Sequence, residues 1–308
     1  MTINILTKDF QSVNGPKLIK EENMIIARIA GGLGNQMFQY ALGKHLAIKN
    51  KTILKLDLTH LLNSNRNKFQ PRNFQLSYFN INTKIASNKE ILKHTLPKIR
   101  NRYIYYLLKK IYSKNGMIIE KNSFFDQKIL NTQNNSYICG HWICEKYFLD
   151  IQKIIRKEFT LKDTLHKKLM KRWGNILKQN NVSIHIRRGD YLKLKHIYHT
   201  LEADYYIKAL NIIKSRTDFS NIIIFSDDIS WCRDNLKLET CIFVEEQSAY
   251  EDLYLMSLCN HNIISNSTFS WWGAWLNKYK NKIIIAPEKW FRKHNHCFDI
   301  IPQNWLKI

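Results

Sequence analysis

Proline and glycine are scarce in this chain, at 5 and 10 of 308 residues, which excludes collagen-like and linker-like architectures. No apolar run reaches the about 18 residues that a membrane-spanning helix needs. Residues 1–23 carry too many polar and acidic side chains for a signal peptide, so a cytoplasmic protein is expected. The six cysteines (Cys139, Cys144, Cys232, Cys241, Cys259 and Cys297) include no CxxC pair, so reduced, mostly buried thiols are expected rather than disulfides. The short mixed clusters Cys139, His141, Cys144 and His294, His296, Cys297 lack the spacing of a four-ligand zinc site. The second half has no interior DxD pair, so no metal is expected.

Acidic residues are also few. Lys plus Arg number 48 against 25 Asp plus Glu, a net charge of +23. Such an excess attracts nucleic acid, anionic membrane or a phosphorylated substrate. It is dispersed in ones and twos, densest at NRYIYYLLKKIYSK (101–114), and reads as solvated lysine rather than a nucleic-acid surface. Peripheral contact with the inner face of a membrane suits it, and no nucleic-acid partner is expected. Hydrophobic residues at 44% and aromatics at 12% describe a globular chain, long enough for two domains with real cores.

Apolar, β-branched runs bounded by polar turns predict strands at 24–30, 52–57, 182–187, 221–226, 241–244, 262–265 and 282–286. Helix-period segments separate the later runs. Tyr250, Leu253, Tyr254, Ser257 and Leu258, for example, share one face. Alternation at that pace predicts mostly parallel, doubly wound sheets, because parallel neighbours need a crossover and a helix supplies it. The first half begins the same way, with a helix near 38–48, then blurs over 60–135, where only a helix at 101–113 is read. A short strand at 137–139 and a helix at 145–159 follow, and the boundary falls near 160. The expected division is an extension at 1–23, a domain at 24–160 and a domain at 161–308.

Ligands of such sheets sit beyond the carboxyl ends of the strands. HIRRGDY (185–191) closes one strand there, crowding His185, Arg187, Arg188 and Asp190 together. Adjacent arginines on a strand end point to opposite sides, so one can fork onto a phosphate while the other pairs locally. SNSTFSWWGAW (265–275) opens a helix after another strand, and its Ser267, Thr268 and Ser270 hydroxyls and free N–H groups form an anion site. Trp271, Trp272 and Trp275 are assigned to packing. FSDD (225–228) ends a third strand, with Asp227 or Asp228 available to a guanine or ribose and either able to cap the next helix instead. AGGLGNQ (30–36) is a glycine-rich turn whose Asn35 and Gln36 amides are expected at the cleft edge, but Met37 stands where a dinucleotide fingerprint needs glycine, and no Walker A motif is present.

Taken in order, GGLGNQMFQYA, GHWICEKYF, HIRRGDY, FSDD and NSTFSWWGAW resemble the bacterial branch of the α1,2-fucosyltransferase family, from about residue 24 to 290. The resemblance implies a GT-B fold, two Rossmann-like domains facing across a cleft. It implies inverting, metal-independent transfer of L-fucose from GDP-fucose to a galactose hydroxyl of an oligosaccharide acceptor, in bacterial carbohydrate biosynthesis such as O-antigen or lipopolysaccharide assembly. No cofactor is needed beyond the donor. Carried over, Arg187 grips the β-phosphate with His185 nearby, and Ser267, Thr268, Phe269 and Ser270 line the diphosphate. Asp227 or Asp228 reads the guanine, and Asn35 with the Gly32–Gly34 turn closes the site from the first domain. Asp190, His185 and Glu145 stand as alternatives for the proton acceptor. The neighbouring reading is a related transferase using another sugar nucleotide or a protein acceptor.

Overall fold

A computed structural model describes residues 23–63, 73–95, 116–122, 124–194, 196–238, 240–292 and 299–308. The expected helix at 101–113, the 1–23 extension up to residue 22 and the His294, His296, Cys297 cluster lie outside the described residues.

The first half contains β1 (Met24–Arg28), α1 (Leu33–Lys49), β2 (Ile53–Asp57), α2 (Thr59–Asn63), β3 (Lys84–Ile85), α3 (Asn88–His94), β4 (Met117–Ile119) and β5 (Ser136–Cys139). Its sheet runs β3-β2-β1-β5-β4, with every neighbouring pair parallel. Strand order therefore reverses between β1 and β5, and the turn after β1 and the turn after β5 flank one crevice. β1 buries Ile25, Ile26 and Ala27 in succession, as a strand covered on both faces does, while β2 buries Leu54 and Leu56 with Lys55 between them paired to Glu90 at 2.6 Å.

The second half contains α5 (Asp163–Leu177), β6 (Asn181–Ile186), α6 (Gly189–Lys193), α7 (Ala203–Lys214), β7 (Asn221–Ser226), α8 (Ile229–Leu236), β8 (Ile242–Phe243), α9 (Ala249–Leu258), β9 (His261–Ile263), α10 (Thr268–Leu276), β10 (Ile284–Ala286) and β11 (Leu306–Lys307). The sheet runs β11-β10-β9-β6-β7-β8, again all parallel. Counted from β6 this is the Rossmann strand order, whose reversal lies between β6 and β9. The alternation expected from the apolar runs is present. The two-residue strands β3, β8 and β11 owe their existence to neighbours, since so short a segment carries little pattern of its own.

One local expectation fails. Residues 145–159 form two 3-10 turns, Glu145–Tyr147 and Leu149–Ile151, before α4 (Gln152–Glu158) begins. Phe148 leaves helical geometry at φ −145°, ψ 13° so that its ring can stack on Trp272, 5.2 Å between centroids. Burial of that ring outweighs helix continuity. Phe38 of α1 packs 4.6 Å from Trp271 and 4.8 Å from Trp272 of α10, and the cluster takes in Phe159 and Trp275. The tryptophans are buried packing residues, as expected, and one core runs through both halves. The five described cysteines are free thiols, four of them buried. Among the described residues no helix is long and apolar enough to cross a membrane.

Candidate active site between the two sheets

The reversal points of the two sheets face each other across a cleft of about 530 Å³, within the range typical of small-ligand sites. Arg187 follows β6 directly and lines it. Its guanidinium contacts Asp190 at 2.7 Å and Asp227 at 2.9 Å. A guanidinium has five N–H donors, so two carboxylates fix its plane and leave donors for a ligand. Asp227 also accepts the backbone N–H groups of Arg188 (2.9 Å) and Gly189 (3.2 Å), which shapes the turn that carries Arg187. Arg188 points away from the cleft: it pairs with Glu202 at 3.2 Å and lies 3.8 Å over the Trp231 ring. The opposite-sides expectation for adjacent arginines holds, with Arg187 on the cleft side.

His185 is buried beside Arg187 and lines the cleft. Its Nδ1 meets Ser265 Oγ at 2.9 Å. Burial first, and the Arg187 charge second, push its pKa down to about 3. The ring is neutral and a poor proton acceptor near pH 7, which counts against a general-base role.

Across the crevice, the loop after β9 delivers the start of α10. Ser267 is its N-cap and accepts from Phe269 N–H at 3.3 Å. Ser267, Thr268 and Phe269 line the cleft. Ser270 does not: its hydroxyl is buried beneath the turn, 3.3 Å from Ser267 O. The first half closes the wall with Gly32, Leu33, Gly34 and Asn35. Asn35 Oδ1 accepts from Thr268 Oγ1 at 2.8 Å, and Gly34 O from Trp272 Nε1 at 3.0 Å. A Cβ on Gly34 would lie 2.5 Å from Thr268 O and 2.6 Å from Phe269 N, so only glycine allows the two halves to meet there. Gln36, expected at the cleft edge, is buried and donates to Gly31 O and Asn73 O instead.

The two candidates in FSDD separate. Asp227 reaches the cleft but is committed to Arg187 and its turn. Asp228 caps α8, accepting from Trp231 N–H at 3.1 Å, and is not among the lining residues. Glu145 lies outside the cleft lining as well, with one oxygen accepting from Trp275 Nε1 at 2.9 Å. A carboxylate that sequence reasoning missed is Asp252, on α9. It lines the cleft, accepts from Gln247 Nε2 at 3.0 Å, and burial pushes its carboxyl up to about 7. The signal was a second acid beside the capping-box Glu251, directly ahead of the apolar segment LYLMSL. Glu120 and His141, at the carboxyl edge of the first sheet, complete the charged lining and were not singled out as site residues. Among the described residues no group of three His, Cys, Asp or Glu side chains is arranged to hold a metal ion.

Two Rossmann-type sheets opposed at their reversal points, with an arginine and a helix N-terminus at the edge of the second, match the GT-B class of glycosyltransferases. The NodZ α-1,6-fucosyltransferase of Bradyrhizobium, in a crystal soaked with GDP-fucose, shares this fold at a TM-score of 0.51 and 13% identity, covering 83% of this chain and 93% of that one. The chain belongs to glycosyl transferase family 11, whose model matches residues 4–308. The match extends beyond the 24–290 stretch that carries the motifs. An α-1,2-colitosyltransferase of Escherichia coli is 36% identical over 93% of this chain and 99% of its own length. The O-antigen biosynthesis glycosyltransferase WbnK of Escherichia coli is 34% identical over 91% and 99%.

Proposed function

We propose that this glycosyltransferase moves L-fucose from GDP-β-L-fucose to O2 of a galactose-terminated glycan, with inversion and without an obligatory metal. The observation that carries the reading is Arg187, its plane set by two carboxylates, lining one cleft together with Ser267, Thr268 and Phe269 at the N-terminus of α10. A diphosphate held between them meets positive charge and hydrogen-bond donors on both sides. As the glycosidic bond breaks, charge gathers on GDP, and donors already aimed there stabilise the transition state more than the ground state. That is the work a divalent ion performs in other transferases. Ser267 and Thr268 supply hydroxyls to the same diphosphate, and neutral His185 adds a hydrogen-bonding edge. Asp252 replaces Asp227 and Asp228 as the reader of the base: a buried carboxylate with a raised pKa gains most from the paired N1–H and N2–H donors of guanine.

A second reading takes the donor as GDP-colitose, which lacks the 3-hydroxyl of fucose; the 36% identity to an α-1,2-colitosyltransferase favours it. Incubating the protein in excess chelator with a β-galactoside and either donor, and following the product anomer by NMR, tests both readings. An α-linked fucosyl product is expected. Transfer from GDP-colitose alone would select the second reading, and transfer only after a divalent ion is restored would overturn metal independence.

A further inference from the structure

The donor site leaves the acceptor's proton without a destination. On the second-sheet side, His185 is too weak a base, Asp190 and Asp227 are both paired with Arg187, and Asp252 is assigned to the guanine. Inversion requires the acceptor to approach from the side of the sugar opposite the diphosphate, which is the first-sheet wall. Among the described residues, that wall carries two titratable groups, Glu120 just after β4 and His141 just after β5. Both stand at the carboxyl edge of the first sheet, and His141 sits at its reversal point beside the Gly32–Asn35 turn.

The segment holding His141 is over-determined. Glu120 takes the backbone N–H of His141 at 2.6 Å on one oxygen and that of Trp142 at 3.0 Å on the other. Trp142 is held at φ +57°, a left-handed conformation that a bulky residue rarely adopts. Its ring is fully buried against Tyr147, which anchors the far side of the turn. A Cβ on Gly140 would collide with Glu120 Cβ and come within 2.7 Å of Trp142 Cε2, so the chain must pass this close to the carboxylate. Gly140 O is tied in turn to Gln39 Nε2 at 3.0 Å. All of this restraint acts on backbone, while the His141 imidazole remains exposed to the cleft. A strained turn clamped by a carboxylate so as to project one imidazole into a ligand cleft is arranged for that imidazole.

We propose that His141 takes the proton of the acceptor hydroxyl and that Glu120 is its positioning residue; this rests on the glycosyl-transfer reading above. The acceptor oxygen forms its bond to the anomeric carbon as the bond from that carbon to the β-phosphate oxygen breaks and its electron pair leaves with GDP. The hydroxyl proton passes to an imidazole nitrogen and then to water in the cleft. The imidazolium so formed lies beside the Glu120 carboxylate, which stabilises it. Three titratable groups act on the ring: Glu120 from beyond β4, Arg28 from the end of β1, and His60 of α2, whose own pKa burial, Arg28 and His141 hold down. Desolvation and Arg28 lower the pKa of His141 and Glu120 raises it, with the net shift downward from 6.5, so the ring is free to accept a proton at neutral pH.

His141→Ala and His141→Gln test the assignment, with GDP binding by calorimetry and melting temperature measured beside kcat. General-base loss predicts a kcat about a hundredfold lower or more, unchanged GDP affinity, and partial recovery of the Ala variant on addition of imidazole, which a structural role would not produce. With saturating donor at every pH, so that Asp252 does not enter, the acid limb of the parental kcat profile should vanish in both variants and move to lower pH in Glu120→Gln, where the charge that raises the ring's pKa is gone. Near-parental kcat in folded, GDP-binding His141→Ala overturns the proposal, as does an inactive Glu120→Gln beside an active His141→Ala, which would make Glu120 the base. A parental protein that fails to bind GDP sinks the donor reading and this inference with it.

Discussion

Gly34 is where the two halves touch most closely at the site, and replacing it with alanine tests whether the crevice works as a fixed gap. The added Cβ would sit 2.5 Å from Thr268 O and 2.6 Å from Phe269 N, against about 3.4 Å for ordinary contact. Both neighbours are backbone at the start of α10, so neither can swing aside. The turn must retreat by about 1 Å, the scale of misplacement that costs on the order of a hundredfold in rate. It would also stretch the 3.0 Å bond from Trp272 Nε1 to Gly34 O and the 2.8 Å bond from Thr268 to Asn35. Steady-state kinetics should therefore show kcat about a hundredfold lower in Gly34→Ala. Two controls separate geometry from general damage. A Cβ on Gly32 would meet nothing within 4 Å, and its φ is −73°, so Gly32→Ala should keep the parental melting temperature. Gly174, inside α5 with only Met170 Cε at 3.6 Å, should gain roughly 0.5–1 kcal/mol of stability as alanine and keep full activity. Parental kcat in Gly34→Ala would show that the gap is not held by this contact.

Arg187→Lys keeps the charge but loses the planar fork, so kcat should fall about a hundredfold or more, as it should in Arg187→Ala. Arg188→Ala should instead cost about 1–3 kcal/mol of stability, read by denaturant titration, because it strips the partner from Glu202 and the Trp231 face. A greater catalytic loss at Arg188 would mean the wrong arginine is assigned to the phosphate. Asp228→Ala should lose about 1 kcal/mol through its helix cap and leave GDP affinity intact, whereas Asp252→Asn should weaken GDP binding measured by calorimetry. Because the folded pKa of Asp252 lies near 7, above its unfolded value, the native state binds the extra proton and this group's contribution to stability falls as pH rises through that window to about 7. Guanine donors favour the ionised form, so GDP should bind more tightly at pH 8 than at pH 5.5, and a flat profile would remove Asp252 from the base-reading role.

Much of this site was legible because its parts are contiguous. HIRRGDY places Arg187 and its partner Asp190 three residues apart at a strand end, and the long apolar strand before it fixes where that end falls. NSTFSWW encodes both the cap and the packing of α10 in one stretch. Asp252 stayed hidden because its neighbours declare a packed helix face, and only the fold turns that helix edge toward the cleft. Glu120 follows a three-residue strand within an Asn- and Lys-rich stretch, and its role depends on backbone donors 21 and 22 positions later. The break at Phe148 was equally out of reach, since the spacing of Tyr147, Ile151 and Ile155 fits a helix and the overriding partner, Trp272, is remote in the chain.

Phe38, Phe148, Phe159, Trp271, Trp272 and Trp275 belong to one buried aromatic cluster drawn from both halves. Neither half can then be treated as a self-sufficient module, because separation would strip cover from three indole rings at once. Chimeras that exchange the second half between relatives would have to transplant α1 together with α10, or rebuild the seam residue by residue. The same seam makes tryptophan emission a reporter of the whole molecule's unfolding rather than of one half, and a single transition is its expected signature.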